Sequence, residues 1–392
     1  MHMPGHKRQD MGTLSEAYHL DITEIEGYDN LYDAQGILKD AMDRASDIYG
    51  AKTYYLVNGS TTGMLTAICG ATDIGDTVIV ASNCHKSVHN AIELKQLKAL
   101  FVQLDKLSQS EVDSGVSCLA VEKLIMENKT SPVKAVIITS PNYDGVLSDI
   151  GELASLCHRH GIVLIVDEAH GAHLSMDERL PKGALEYGAD IVVHSTHKTL
   201  AAMTQTALLH VQGDLVDITK IEHYWSMFQT SSPSYVLMAS IDEALSDLQE
   251  NGKKHWDRFF DNKSRFIKET ERLDNLHVLS DADIANYSDI VALDPCKITV
   301  ITNNTDITGV GLQRILLDDY HIQLEMAAND RIIAIVTYAD TEEGFARLAS
   351  ALLEIDKKLD EGAYTDAKFG NTQASGAGDE VKSLYAPCIP KI

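Results

Sequence analysis

The chain lacks what a membrane span, a disulfide scaffold or a nucleic-acid binder requires. No apolar run approaches the roughly 18 residues of a membrane helix. The opening stretch Met1-His2-Met3-Pro4-Gly5-His6-Lys7 has no apolar core, so no signal peptide is expected. Cysteine is sparse: Cys69, Cys84, Cys118, Cys157, Cys296 and Cys388 are scattered over 392 residues and form no CxxC. That spacing suits reduced thiols in a cytoplasmic protein better than a disulfide framework or a zinc site. Positive charge is also short. Lys and Arg number 33 against 58 Asp and Glu, leaving a formal charge of −25. Phosphate neutralisation needs a basic surface, so neither nucleic acid nor a membrane is an expected partner.

What is present is an ordinary globular composition, 44% hydrophobic and 23% charged, which excludes wholesale disorder and fibrous repeats. The length predicts two or three domains with enough chain for a large core. The acid excess weakly favours a cationic small molecule as ligand. Protonating all 16 histidines would take the charge from −25 to −9. Acid is therefore expected to relieve repulsion between subunits.

Residues 1–30 are polar and read as an N-terminal arm. Residues 31–49 have helical spacing and stop at Gly50. From Thr53 to about His210, apolar runs at 54–57, 78–81, 99–104, 135–139, 162–166, 191–194 and 207–211 alternate with polar turns. Helix-like stretches lie near 61–70, 87–97, 119–128, 149–160 and 181–187. This alternation predicts a mostly parallel sheet with helices on both faces, an α/β architecture. Residues 235–275 read as one long helical region. Strand 298–302, helix 309–319, strands 322–326 and 332–336 and helix 342–359 predict a smaller C-terminal α+β domain. The expected division is an arm at 1–30, a large domain at 31–290, a small domain at 291–359 and a polar tail at 360–392.

In an open parallel sheet, ligands sit at the carboxyl ends of the strands, so the residues just after each apolar run decide the chemistry. The first run leads into Asn58-Gly59-Ser60-Thr61-Thr62-Gly63, small residues opening a helix, which leave N–H groups and hydroxyls available to an anion. It is neither a P-loop nor a GxGxxG turn. The second leads into Ser82-Asn83-Cys84-His85, where an imidazole fits the face of a planar ligand. The run at 135–139 leads into Ser140-Pro141-Asn142-Tyr143-Asp144-Gly145, a turn signature. The run at 162–166 leads into Asp167-Glu168-Ala169-His170-Gly171. A carboxylate at the edge of a buried sheet needs a partner: an arginine, a metal or a protonated ring nitrogen. Asp167, Glu168, His170 and His173 are conceivable metal ligands, and that alternative stays open, although no metal is expected. The run at 191–194 leads into Ser195-Thr196-His197-Lys198, where a lysine among polar groups is a candidate amine nucleophile.

Taken singly, each feature has an ordinary explanation: an N-cap turn, a surface histidine, a solvated lysine. Together they are the parts of a pyridoxal phosphate site. Such a site needs an amine, a carboxylate that keeps the pyridine nitrogen protonated, a flat face and a phosphate cradle.

The stretches His2-Met3-Pro4-Gly5-His6-Lys7, Leu56-Val57-Asn58-Gly59-Ser60-Thr61, His85-Lys86-Ser87, Thr139-Ser140-Pro141-Asn142-Tyr143-Asp144-Gly145, Val166-Asp167-Glu168-Ala169-His170-Gly171 and Ser195-Thr196-His197-Lys198 resemble the bacterial ornithine/lysine/arginine decarboxylases. The resemblance runs in order over roughly residues 2–355. It implies the large domain of a fold-type I pyridoxal-phosphate enzyme and α-decarboxylation of a basic amino acid. It further implies Lys198 as the Schiff-base lysine, Asp167 as partner of the pyridine nitrogen and His85 on one ring face with Ala169 on the other. Ser60, Thr61, Ser195 and His197 become phosphate contacts. The site is implied to lie between the subunits of a homodimer or higher oligomer, with the loop carrying Ser232, and the arm at 4–7, reaching towards the partner. The chain opens inside the HMPGHK stretch and ends at Ile392, where relatives continue. Two other readings remain: a different fold-type I reaction such as transamination, for which Arg314, Arg331 and Arg347 are available, and a catalytically idle regulatory paralogue.

Overall fold

A computed structural model describes residues 2–10, 12–108, 110–303, 305–362 and 364. The tail beyond residue 364, with Cys388, lies outside the described residues. Two compact units emerge: 1–105 with 113–254 and 287–294, and 106–112 with 255–286 and the chain from 295. Residues 255–286, expected within the large domain, thus group with the second unit.

The strands are β1 (Lys52–Leu56), β2 (Thr77–Ala81), β3 (Lys98–Val102), β4 (Val133–Thr139), β5 (Val146–Ser148), β6 (Val163–Asp167), β7 (Ile191–His194), β8 (Ala207–Val211), β9 (His277–Val278), β10 (Ile290–Leu293), β11 (Lys297–Ile301), β12 (Met326–Ala327) and β13 (Arg331–Ile335). The helices are α1 (Ser15–Leu20), α2 (Ile37–Tyr49), α3 (Gly59–Ala71), α4 (Lys86–Leu94), α5 (Cys118–Glu127), α6 (Ile150–Arg159), α7 (Thr196–Thr199), α8 (Ile218–Phe228), α9 (Tyr235–Thr270), α10 (Asp281–Ile284), α11 (Gly309–Tyr320) and α12 (Glu342–Asp360).

The first unit is built on a seven-stranded sheet of order β1-β8-β7-β6-β4-β2-β3. All neighbours pair in parallel except β8, which runs antiparallel to both β1 and β7. Strands β2, β6, β7 and β8 are buried at every position, which is why they read as near-continuous apolar runs rather than alternating ones. Helix α3 lies close against the sheet. A Cβ at Gly63 would stand 2.7 Å from both Leu56 Cδ1 and Val193 Cγ1, so only glycine allows that approach. The second unit carries the antiparallel sheet β12-β13-β11-β9 with α11 packed on β13.

Several local expectations shift. The helix expected over 31–49 is a 3-10 turn (Leu31–Asp33) and then α2, because the Asp29 carboxylate accepts the N–H groups of Gln35, Gly36, Leu38 and Lys39. That carboxylate caps the helix at residue 37 and delays its start. The helix expected at 181–187 is a run of turns. The Ala184 N–H is drawn to the Glu168 carboxylate, and Gly188 adopts φ 91°. The strand expected at 322–326 shrinks to β12 after His321 turns left-handed at the end of α11. The arm contains a short helix, α1.

Candidate active site

The carboxyl edge of the first unit's sheet gathers most of the residues singled out above. Asp167 ends β6 and is 4% exposed. In the parallel register it faces Val193 of β7, which sets the Lys198 turn beside it. That turn is the one-turn helix α7. Thr196 Oγ1 donates to Thr206 Oγ1 at 2.6 Å, and His197 Nδ1–H donates to the Thr206 carbonyl at 2.8 Å. The Ser195 N–H reaches the Ala169 carbonyl at 3.3 Å. The lysine is thereby tied both to the next strand and to the Asp167 segment.

The electrostatics agree with this proximity. Burial pushes the Asp167 carboxyl above its usual range, opposed by the Ala169 N–H at 3.2 Å and by the Lys198 charge. His85 is held below the histidine range, first by desolvation and then by Lys198 and Lys86. Its Nδ1 caps α4 by accepting from the Ser87 N–H at 3.2 Å. The Cys84 thiol is pushed up to about 12 by burial and by Asp167.

At the start of α3, where Ser60 and Thr61 stand, no side chain caps the helix. The Asn58 Oδ1 instead accepts from the Thr230 N–H at 3.1 Å. The first N–H groups of the helix stay available to an anion. Ser232 lies on the same loop as Thr230 and is exposed.

Burial without satisfaction marks this edge. Asn83 Oδ1, Thr139 Oγ1, Ser195 Oγ and Thr199 Oγ1 are buried polar atoms without a hydrogen-bond partner, at or just beyond the ends of β2, β4 and β7. Each such atom costs about 1–3 kcal/mol, too much to leave along one edge unless something else completes it. Asp167, buried with one N–H donor, is similarly incomplete. An anion would accept from the hydroxyls and a protonated ring nitrogen would donate to Asp167; Asn83 Oδ1, itself an acceptor, is completed by neither. The residues present therefore fit pyridoxal phosphate.

Asp167, Glu168, His170 and His173 do not converge on one metal. Glu168 turns to His194 at 2.7 Å, His173 to Asp294 at 2.9 Å and His170 to Lys198 at 3.0 Å. His170 is a site residue that sequence reasoning weighed only as a metal ligand. Its Nε2 sits 3.0 Å from the Lys198 Nζ, and Tyr143 packs edge-on with ring centroids 5.0 Å apart. Its position three residues after Asp167, on the turn leaving β6, was the available signal.

Comparison with known proteins agrees with this geometry. The model of the "Orn/Lys/Arg decarboxylase, major domain" family matches residues 12–344. The uncharacterized protein YaaO of Bacillus subtilis is 31% identical over 94% of this chain and 77% of its own length. The arginine decarboxylase of Halalkalibacterium halodurans is 30% identical over 90% of this chain and 73% of its own. The crystal structure of the Francisella novicida lysine decarboxylase LdcF superposes with a TM-score of 0.77 at 21% identity; the match covers 92% of this chain and 58% of that one. The shared fold is that of the fold-type I pyridoxal-phosphate enzymes. With the family model spanning most of its length, this chain belongs to the Orn/Lys/Arg decarboxylases, pyridoxal-phosphate-dependent lyases.

Proposed function

We propose that this protein removes the α-carboxylate of a basic amino acid, with arginine the preferred substrate, and works as a cytoplasmic homodimer or larger homo-oligomer. The observation that carries the reading is a buried carboxylate, Asp167, at the end of β6 and a lysine, Lys198, on the turn that follows the neighbouring strand β7, among buried polar atoms that lack partners. Arginine is favoured because the match to a named arginine decarboxylase covers 73% of that protein. The likeness to lysine decarboxylase structures speaks for the fold alone. Among the described residues no helix is long and apolar enough to cross a membrane.

Pyridoxal phosphate, when bound, supplies an amine-reactive carbonyl and a ring that accepts electron density. The rest is work for side chains. Lys198 would carry the carbonyl. Asp167 would hold a proton on the ring nitrogen; its burial makes an uncompensated anion costly, and a cationic partner removes that cost. Ser60, Thr61 and Ser195 would hold the phosphate with the open end of α3. His197 spends its Nδ1–H on Thr206, so a donated bond from its Nε2 requires the doubly protonated ring. His85 and Ala169 would bracket the ring. His170, at 3.0 Å, is placed to take or return a proton at the Lys198 Nζ. Ser232 and the arm would serve the partner subunit's site.

The deciding assay supplies purified protein and pyridoxal phosphate with arginine, lysine or ornithine. Carbon dioxide and the corresponding amine should appear in equal amounts, fastest from arginine. Keto acid without carbon dioxide would replace this reading with transamination. A coloured protein that turns over none of the three would replace it with an idle, regulatory role. Sedimentation at micromolar protein should give at least a dimer; a monomer would remove the interface from the proposal.

A further inference from the structure

Behind the site, on the other face of the same strands, lies a buried polar array that the proposed chemistry does not use. Val193 faces α3, because a Cβ at Gly63 would meet its Cγ1. Strand alternation sends the next residue, His194, to the opposite face. There its Nε2 stands 2.7 Å from Glu168 Oε2 and its Nδ1 stands 3.0 Å from His210 Nε2. His210 Nδ1 is 2.8 Å from Thr53 Oγ1, whose hydroxyl donates to the Ala51 carbonyl at 3.0 Å. Glu168 also accepts the Ala184 N–H at 3.0 Å. Glu168 and His194 are each 2% exposed, and His210 and Thr53 are 0% and 3% exposed. The Tyr49 ring packs on both imidazoles, centroids 5.0 and 4.5 Å away.

The proton count is set from the far end. With its hydrogen on the Ala51 carbonyl, the Thr53 oxygen accepts from His210 Nδ1–H; with its hydrogen on His210 Nδ1, every link of the line turns round. In the first order His210, fully buried and kept neutral by desolvation and by neighbouring His194, has only a lone pair at Nε2. That lone pair accepts from His194 Nδ1–H. One proton is left, shared between His194 Nε2 and Glu168. The charged neighbours that act on Glu168 are His194 and His173, and the one that acts on His210 is His194. In either order each link has one donor and one acceptor, and the line is satisfied from Glu168 to Thr53.

Packing alone does not call for this arrangement, since apolar residues of equal volume commonly replace buried ionic groups without loss of stability. What a directional array adds is a set distance between the elements it joins. Glu168 directly follows Asp167, and His194 is four residues before Lys198. The side chain of Glu168 fits only because residue 171 is glycine; a Cβ there would stand 2.4 Å from Glu168 Cγ.

We propose that Glu168, His194, His210 and Thr53 act as one unit of positioning residues that sets the spacing of the ends of β6 and β7, and through them of the Asp167 carboxylate and the Lys198 amine. The proposal rests on the site reading above. It is tested on the full chain loaded with pyridoxal phosphate, by the pH midpoint of the cofactor's visible absorbance and by kcat and KM separately. Glu168→Ala strips His194 and Ala184 of their partner. It should move the absorbance midpoint by at least half a pH unit and lower kcat tenfold or more, with KM within threefold. Glu168→Gln keeps an acceptor for Ala184 and a donor for a neutral His194, and should return both readouts most of the way to the parent values. If Glu168→Ala does not fold, Thr53→Val decides: it removes the hydroxyl partner of His210 Nδ1 and should shift the midpoint as well. A folded, cofactor-loaded Glu168→Ala, or in its place Thr53→Val, with the parent midpoint and kcat overturns the proposal. A parent protein that shows the absorbance band yet releases no carbon dioxide refutes the decarboxylase reading instead, and leaves the absorbance test standing.

Discussion

The two faces of β6 and β7 handle buried polarity in opposite ways. On one face Asp167 and Ser195 are buried and short of partners. On the other, Glu168, His194, His210 and Thr53 satisfy one another in a closed line. Neighbouring residues of one chain, Asp167 and Glu168, fall on either side of this divide. Both carboxyls are pushed up by burial, but Glu168 has His194 and the Ala184 N–H to offset it, whereas Asp167 has one N–H and the more distant Lys198 charge. A deficit of partners on one face, beside satisfied groups on the other, is the contrast expected of a face that takes a ligand backed by a face that holds shape.

The most damaging way to break the contrast is at the amine. Lys198→Ala should lower decarboxylation by at least about 10³-fold, since a covalent step loses its nucleophile. Borohydride should then no longer fix the cofactor to the protein, while the circular dichroism of the apo form stays unchanged.

Asp167→Asn should sharpen it with effects of opposite sign. Activity should fall by roughly 10²-fold, the scale of a lost electrostatic contact at the reacting group. Apo stability should move the other way. The folded-state pKa of Asp167 is raised, so between the ordinary carboxylate value and that raised value the native state binds more protons than the unfolded state. Apo stability therefore falls as pH rises through this window. The asparagine variant loses that slope. Its apo form should melt above the parent's at pH 7, and calorimetry at pH 5 and pH 7 would show a smaller difference between the two pH values than in the parent. A parent apo protein that gains stability over that interval while Asp167→Asn matches it would count against the burial argument.

Gly63→Ala perturbs only the scaffold of the open face. The new methyl would meet Leu56 and Val193 at 2.7 Å. Overpacking of this kind costs about 1–3 kcal/mol, to be read as a lower denaturation midpoint with unchanged m-value. The mildest change, Ser195→Ala, removes a hydroxyl that has no partner in the apo chain. Apo stability should hold or rise by up to about 1 kcal/mol, and cofactor affinity should drop by about tenfold, the worth of one hydrogen bond to a charged group. Equal losses in both would mean that the hydroxyl is structural.

Much of the site was legible because its chemistry is local. Each apolar run predicted a strand, and the residues after the run occupied the strand's carboxyl end, as Asp167 at the end of β6 and Ser195 to Lys198 after β7 show. His194 and His210 were not read as a pair, although each is the odd polar residue in an apolar strand, because they are neighbours only across the β7–β8 pairing. Residues 181–187 misled for the same reason: a distant carboxylate takes the N–H of Ala184. His170 and Lys198 both stand out in the sequence, but their 3.0 Å pairing joins the turns of two different strands and leaves no local mark.

By itself, then, the order of residues determined which strands form and which groups stand at their ends, since burial on both faces demands near-continuous apolar runs and confines polar chemistry to the edge. Only the tertiary structure decided that β8 runs antiparallel within the sheet, that Asp167 and Glu168 part to opposite faces, and that polar residues from β1, β7, β8 and the end of β6 close into one line. Those outcomes depend on pairing and side-chain direction between segments far apart in the chain, which no local pattern encodes.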